Sequence, residues 1–140
     1  METIKSIEEV YSYEVPHKVM DYDGFIITTT KRSLALLISN GQSCCETWGY
    51  MCSADEVEDF VGANLLGLVG VDKDYKKTEE LLKRESDKLK LYMIELEDTC
   101  ILNLETDRGL LQFAVYNLHN GYYGHSVIIR DGLREATVYL

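Results

Sequence analysis

Five residue–glycine pairs punctuate the chain, at Asp23-Gly24, Asn40-Gly41, Arg108-Gly109, Asn120-Gly121 and Asp131-Gly132. Glycine reaches positive φ without steric cost, so pairs of this kind favour tight turns between strands. The runs between them are rich in β-branched and aromatic residues, which suits a pleated, half-buried surface. Residues 25–30 and 34–39 read as a first hairpin around Lys31-Arg32-Ser33. Residues 65–71 read as a buried strand loosened by Gly67 and Gly70, and residues 92–96 and 100–104 as two more around Glu97-Asp98-Thr99. Residues 110–118, 122–130 and 133–140 are expected to close the chain as a three-stranded meander.

Helical signals are fewer. Ser53 with Glu56 makes a capping box ahead of the apolar stripe Val57, Phe60 and Val61, which Gly62 ends, so residues 53–61 are expected to be a helix. Residues 76–90 carry Glu79–Lys83 and Glu80–Arg84 at i to i+4 spacing, with a thin apolar face of Leu81, Leu82 and Leu89. They read as a charged helical excursion lying on the domain, with a flexible insert as the alternative. Ile4, Ile7, Val10 and Tyr11 recur at helical spacing before Pro16, which predicts a short N-terminal helix. The fold class expected is α+β: one domain over residues 1–140, rich in antiparallel sheet, with one or two helices.

The 46% of hydrophobic residues supplies a single core for 140 residues. Net charge of −10 repels nucleic acid and anionic membranes, so non-specific binding to either is not expected. The N-terminus M-E-T-I-K-S-I-E-E lacks the basic and apolar regions of a secretory leader, and no apolar run approaches the ~18 residues of a membrane span. Cys44, Cys45, Cys52 and Cys100 are therefore read as thiols of a reducing cytoplasm.

Those cysteines, with His119 and His125, suggest zinc or a thiol–imidazole dyad. Adjacent cysteines cannot easily both ligate, no C-x-x-C pair occurs, and nothing in the spacing brings a cysteine to a histidine. No metal, cofactor or catalytic residue is expected, and the chain is read as a non-enzyme. Recognition is the better theme, centred on H-N-G-Y-Y-G-H-S at residues 119–126. Tyr122 and Tyr123 cannot both face one core, because successive strand residues point opposite ways, and beside Asn120 they could stack on and hydrogen-bond a base. If Asn120-Gly121 is a two-residue turn, Leu111 falls opposite Arg130, and Arg108, Arg130 and Arg134 gather roughly 26 Å from Tyr122. A small anionic ligand could meet both groups only in a homo-oligomer.

With S-C-C-E at residues 43–46, the acidic D-E-V-E-D-F-V-G segment and N-G-Y-Y-G at residues 120–124, the chain resembles a small phage and bacterial family that includes the type-one Thoeris anti-defence proteins. The resemblance covers roughly residues 22–130, with Gly124-His125 and the charged stretch 76–90 as departures. It implies a homo-oligomeric protein, in the cytoplasm of a host cell, that sequesters a cyclic ADP-ribose isomer or cyclic oligonucleotide without cleaving it. Asn120, Tyr122 and Tyr123 fall on the ligand-proximal segment, with Arg108 or Arg130 left to pair with phosphate. The alternative is an acidic inhibitor that binds a host defence protein, such as a nucleic-acid-guided nuclease, as anti-CRISPR proteins do.

Overall fold

The run S-L-A-L-L-I-S lacks the alternation of a half-exposed strand because it is buried on both faces. It is the third strand of a nine-stranded antiparallel sheet. The computed structural model describes residues 1–41, 47–69, 75–90, 94–118 and 124–140. The strands are β1 (Glu2–Glu14), β2 (Asp21–Thr29), β3 (Ser33–Ser39), β4 (Thr47–Cys52), β5 (Asn64–Val69), β6 (Thr99–Thr106), β7 (Gly109–Leu118), β8 (Ser126–Asp131) and β9 (Arg134–Tyr139). Their order across the sheet is β4-β7-β6-β5-β1-β2-β3-β8-β9. One α-helix, α1 (Tyr75–Leu89), is present among the described residues. The protein is thus mostly antiparallel sheet with a helix, consistent in outline with the α+β expectation.

The sheet folds over itself at β1. That strand touches β5 only through Glu2 and Thr3, then continues beside β2. The two halves can therefore face each other as a sandwich. Phe25, Ile27, Leu34, Leu36 and Val127 from one half meet Leu102, Leu104, Leu111, Phe113 and Val115 from the other in one core. The rings of Phe25 and Phe113 lie 4.8 Å apart across the layers.

Both outer faces carry apolar clusters. Leu81 and Leu82 of α1 pack with Ala114, Tyr116, Met51 and Ile94. On the other half Val15 packs with Tyr22, Ala35, Leu37 and Ile128, and Lys18 donates to the Thr137 hydroxyl. No helix among the described residues is long and apolar enough to cross a membrane.

The structure bears out the first hairpin as β2–β3, and the helix expected over residues 76–90 as α1. Four other expectations are corrected. The proposed N-terminal helix is β1. Ile4 and Ile7, three residues apart, would face opposite ways in a regular strand, but an irregularity between Ile4 and Ser6 turns both into the core. That bulge mimicked helical spacing. The helix expected over residues 53–61 shrinks to a 3-10 turn, Val57–Phe60, without a side-chain cap. Ser53 is otherwise engaged: its N–H donates to the Gln112 carbonyl and its hydroxyl accepts the Gln112 N–H, prolonging the β4–β7 pairing.

The terminal meander is the third correction. Both edges of β7 are filled, by β4 and β6, so β7 cannot pair with β8, which lies between β3 and β9. The chain crosses from one layer to the other between them. Only the last hairpin remains, with Gly132 at φ 66 in its turn. Residues 70 and 71 of the strand expected over 65–71, and residues 92 and 93 of the one expected over 92–96, lie outside the described residues; the latter is corrected in its described part, because residues 94 and 95 are not strand and Leu96 opens a 3-10 turn, Leu96–Asp98.

Candidate functional site

Register brings two distant parts of the chain to one end of the sandwich. Thr47, which opens β4, lies opposite Leu118, which closes β7. On the facing layer, Ser39 at the end of β3 meets His125 just ahead of β8. These residues flank segments 42–46 and 119–123, which hold most of the S-C-C-E and N-G-Y-Y-G motifs. The segments themselves, with Cys44, Cys45, His119, Asn120, Tyr122 and Tyr123, lie outside the described residues.

What lies between the flanks is polar, aromatic and largely buried. Trp48 and Asn117 are register partners on the inner faces of β4 and β7. The Trp48 ring stacks on His125, with centroids 5.1 Å apart and planes inclined 35°. His125 is 2% exposed, and its backbone exchanges hydrogen bonds with Leu140 at 2.9 and 3.0 Å. Asn117 also donates to the Leu140 carbonyl. The Nδ1 atom of His125 lies 2.6 Å from the Ser39 carbonyl, which can only accept, so Nδ1 carries a proton and donates. In the neutral ring that assignment leaves Nε2 as an acceptor. The Ser39 hydroxyl accepts the Ser126 N–H, and the Tyr22 and Ser126 hydroxyls share a hydrogen bond.

The arginines singled out in the sequence stand elsewhere. Arg108, on the β6–β7 turn, donates to the carbonyls of Asp59 and Val61. Arg130, on β8, pairs with Glu135 at 3.4 Å. From Gly109 to Leu118 the strand runs roughly 30 Å, so Arg108 is at the opposite end of β7 from the motif flanks. Arg130 is roughly 16 Å along β8 from His125. Because β7 and β8 do not pair, the hairpin that sets their separation in the sequence reading does not form, yet Arg108 and Arg130 lie away from the motif flanks.

Cysteine chemistry has little support among the described residues. Cys52 and Cys100 are free thiols. Burial pushes Cys52 up to about 11 and raises Cys100 too, so both stay protonated and weakly nucleophilic at neutral pH. No group of three or more histidine, cysteine or carboxylate residues able to hold a metal occurs among the described residues.

A family model described as a domain of unknown function, DUF7448, matches residues 2–129. The chain belongs to that family. The DUF7448 match takes in both layers and the Trp48, Asn117 and His125 cluster, and it stops one residue short of Arg130. No curated protein and no solved structure matches the chain significantly.

Sequence reasoning missed Trp48, Asn117 and Ser39, and it weighed His125 only as a ligand or base. One signal was available: T-W-G-Y-M-C has the β-rich composition of a strand, with the chain's single tryptophan in it. No local pattern pairs Trp48 with His125.

Proposed function

We propose that the protein is a non-catalytic binder that sequesters a cyclic nucleotide, an ADP-ribose isomer or an oligonucleotide, at the end of the sandwich framed by Trp48 and His125. One observation carries the reading. The flanks of the two motif segments, distant in sequence, meet around a tryptophan–imidazole stack with amide and hydroxyl groups beside it. An aromatic face suits a nucleobase, and hydrogen-bonding groups at its margin suit base edges or ribose. Asn120, Tyr122 and Tyr123 belong to this reading as the ligand-proximal residues that the family resemblance implies. The phosphate charge is met by Arg108 or Arg130 of a neighbouring copy in a homo-oligomer. Each guanidinium has donors beyond those its present contacts use.

The single tryptophan makes the test direct. Incubation with cyclic ADP-ribose isomers or cyclic dinucleotides should deplete one from solution and quench Trp48 emission, and denaturation should return it intact. The Trp48→Ala variant should lose that depletion. Unchanged emission with no ligand depleted would remove the reading, and recovery of a cleaved ligand would make the protein an enzyme instead. A monomer by light scattering would exclude the arginine arrangement.

A further inference from the structure

We propose that a second surface, the groove along the outer edge of β4, docks an extended, lysine- or arginine-bearing segment of a partner protein. This goes beyond the sequestration reading and does not rest on it.

The edge supplies the first half of the argument. β4 ends the sheet and pairs only with β7 among the described residues. Ser53 N–H donates to Gln112, so the alternation of an antiparallel ladder turns the backbone groups of Tyr50 and Cys52 away from β7. A cavity of about 510 Å³ lies against this edge, and four consecutive residues, Gly49 to Cys52, line it. A strand edge that has no second strand among the described residues, beside an open groove, is a template for an added strand, although Arg84 already holds the Cys52 carbonyl.

Charge decides what kind of strand. The groove is lined by the carboxylates of Glu9, Asp55, Glu56 and Glu85 against one ammonium, Lys88, with Tyr50 and Tyr116 presenting aromatic surface. Burial, with Tyr11 and Glu9 beside it, holds the Tyr50 phenol well above its usual range, so it stays a neutral donor and carries no phenolate charge; the charge of the groove is that of its carboxylates. Aromatic rings among carboxylates favour a cationic side chain whose stem lies on the rings. The chain's own Arg84 already places a cation at one end of this edge. Its guanidinium reaches the Cys52 and Ser53 carbonyls and the Glu85 carboxylate at 3.0, 3.1 and 3.1 Å. Further along the edge, Asp55 and Glu56 are exposed and stand ready for a cation from outside.

The probe is a fluorescein-labelled peptide of about eight alternating lysine and valine residues, with a glutamate–valine peptide as its counterpart. The lysine peptide should bind, measured by anisotropy, and the glutamate peptide should not. A double variant, Asp55→Asn with Glu56→Gln, should weaken binding roughly tenfold, whereas Glu79→Gln with Glu80→Gln, which loses the same charge off the groove, should change it less than about twofold. Bound peptide should slow hydrogen exchange at Tyr50 and Cys52. Equal weakening by the two double variants, binding of the glutamate peptide, unchanged exchange along β4, or no binding of the lysine peptide would each overturn the proposal.

Discussion

Replacing Ser86 with alanine isolates the tie between α1 and the segment that leads from it toward β6. Ser86 is 2% exposed; its hydroxyl donates to the Leu82 carbonyl at 2.7 Å and accepts the N–H of Ile94, also at 2.7 Å. The Leu82 carbonyl loses little in the variant, because the helix ladder still supplies the backbone N–H of residue 86. Ile94 is fully buried, and its N–H would lose its acceptor. An orphaned buried donor costs about 1–3 kcal/mol, and the better helix propensity of alanine returns at most about 0.5 kcal/mol. A net loss of roughly 0.5–2.5 kcal/mol lowers the melting temperature of a domain this size by roughly 2–10 °C. Thermal and urea unfolding followed by circular dichroism would measure it, and faster exchange of the Ile94 amide would locate it. A melting temperature within about 1 °C of the parent would refute the reasoning, because Ile94 would then have another acceptor.

Two further perturbations probe the sheet. Gly24 sits in β2 at φ 149, and a Cβ there would lie 2.2 Å from the Leu36 carbonyl oxygen, a backbone atom with little room to move. Gly24→Ala should therefore cost about 2–4 kcal/mol, read as a lower urea midpoint; a parent-like midpoint would show that the bulge beside Val10 tolerates a side chain. Glu2 is the pH-sensitive group: burial alone would raise its carboxyl, but hydrogen bonds from the Arg32 guanidinium and the Thr29 hydroxyl outweigh it and bring it below the usual carboxylate value. A folded pKa lower than the unfolded one stabilises above the unfolded value and is lost as pH falls through the folded one. Glu2→Gln should thus be least stable relative to the parent near neutrality, and the two should converge in acid; a pH-independent difference in urea midpoints would count against the ion pair.

Local rules succeeded where the decisive contacts are close in sequence. The β2–β3 hairpin follows from two β-rich runs around Lys31 and Arg32, with the Thr29 hydroxyl accepting both of their N–H groups. The helix α1 follows from its charge spacing and from Leu81 and Leu82 on one face. They failed where a distant strand competed for the same backbone. Ser53 has the signature of a helix cap, but Gln112 claims its N–H and its hydroxyl. Asn120-Gly121 signals a hairpin, but β4 and β6 already occupy both edges of β7.

The site divides in the same way. The sequence alone marked the motif segments, while its count from Tyr122 to the arginines rested on a β7–β8 hairpin that the strand pairing excludes. Which residues frame those segments was a tertiary outcome, because Trp48 and His125 meet only when one layer of the sandwich closes on the other. The groove beside β4 draws Glu9, Tyr50, Asp55 and Glu85 from three parts of the chain, and no short window of sequence contains them together. By itself, then, the sequence determined an antiparallel, turn-punctuated, acidic chain with one charged helix, since backbone preference, periodicity and net charge are properties of neighbouring residues and of their sum. Strand order, the fold line at β1 and the two surfaces proposed for binding were decided by the tertiary structure, because each strand edge takes one partner and each apolar face one cover, and that competition is settled only among all strands at once.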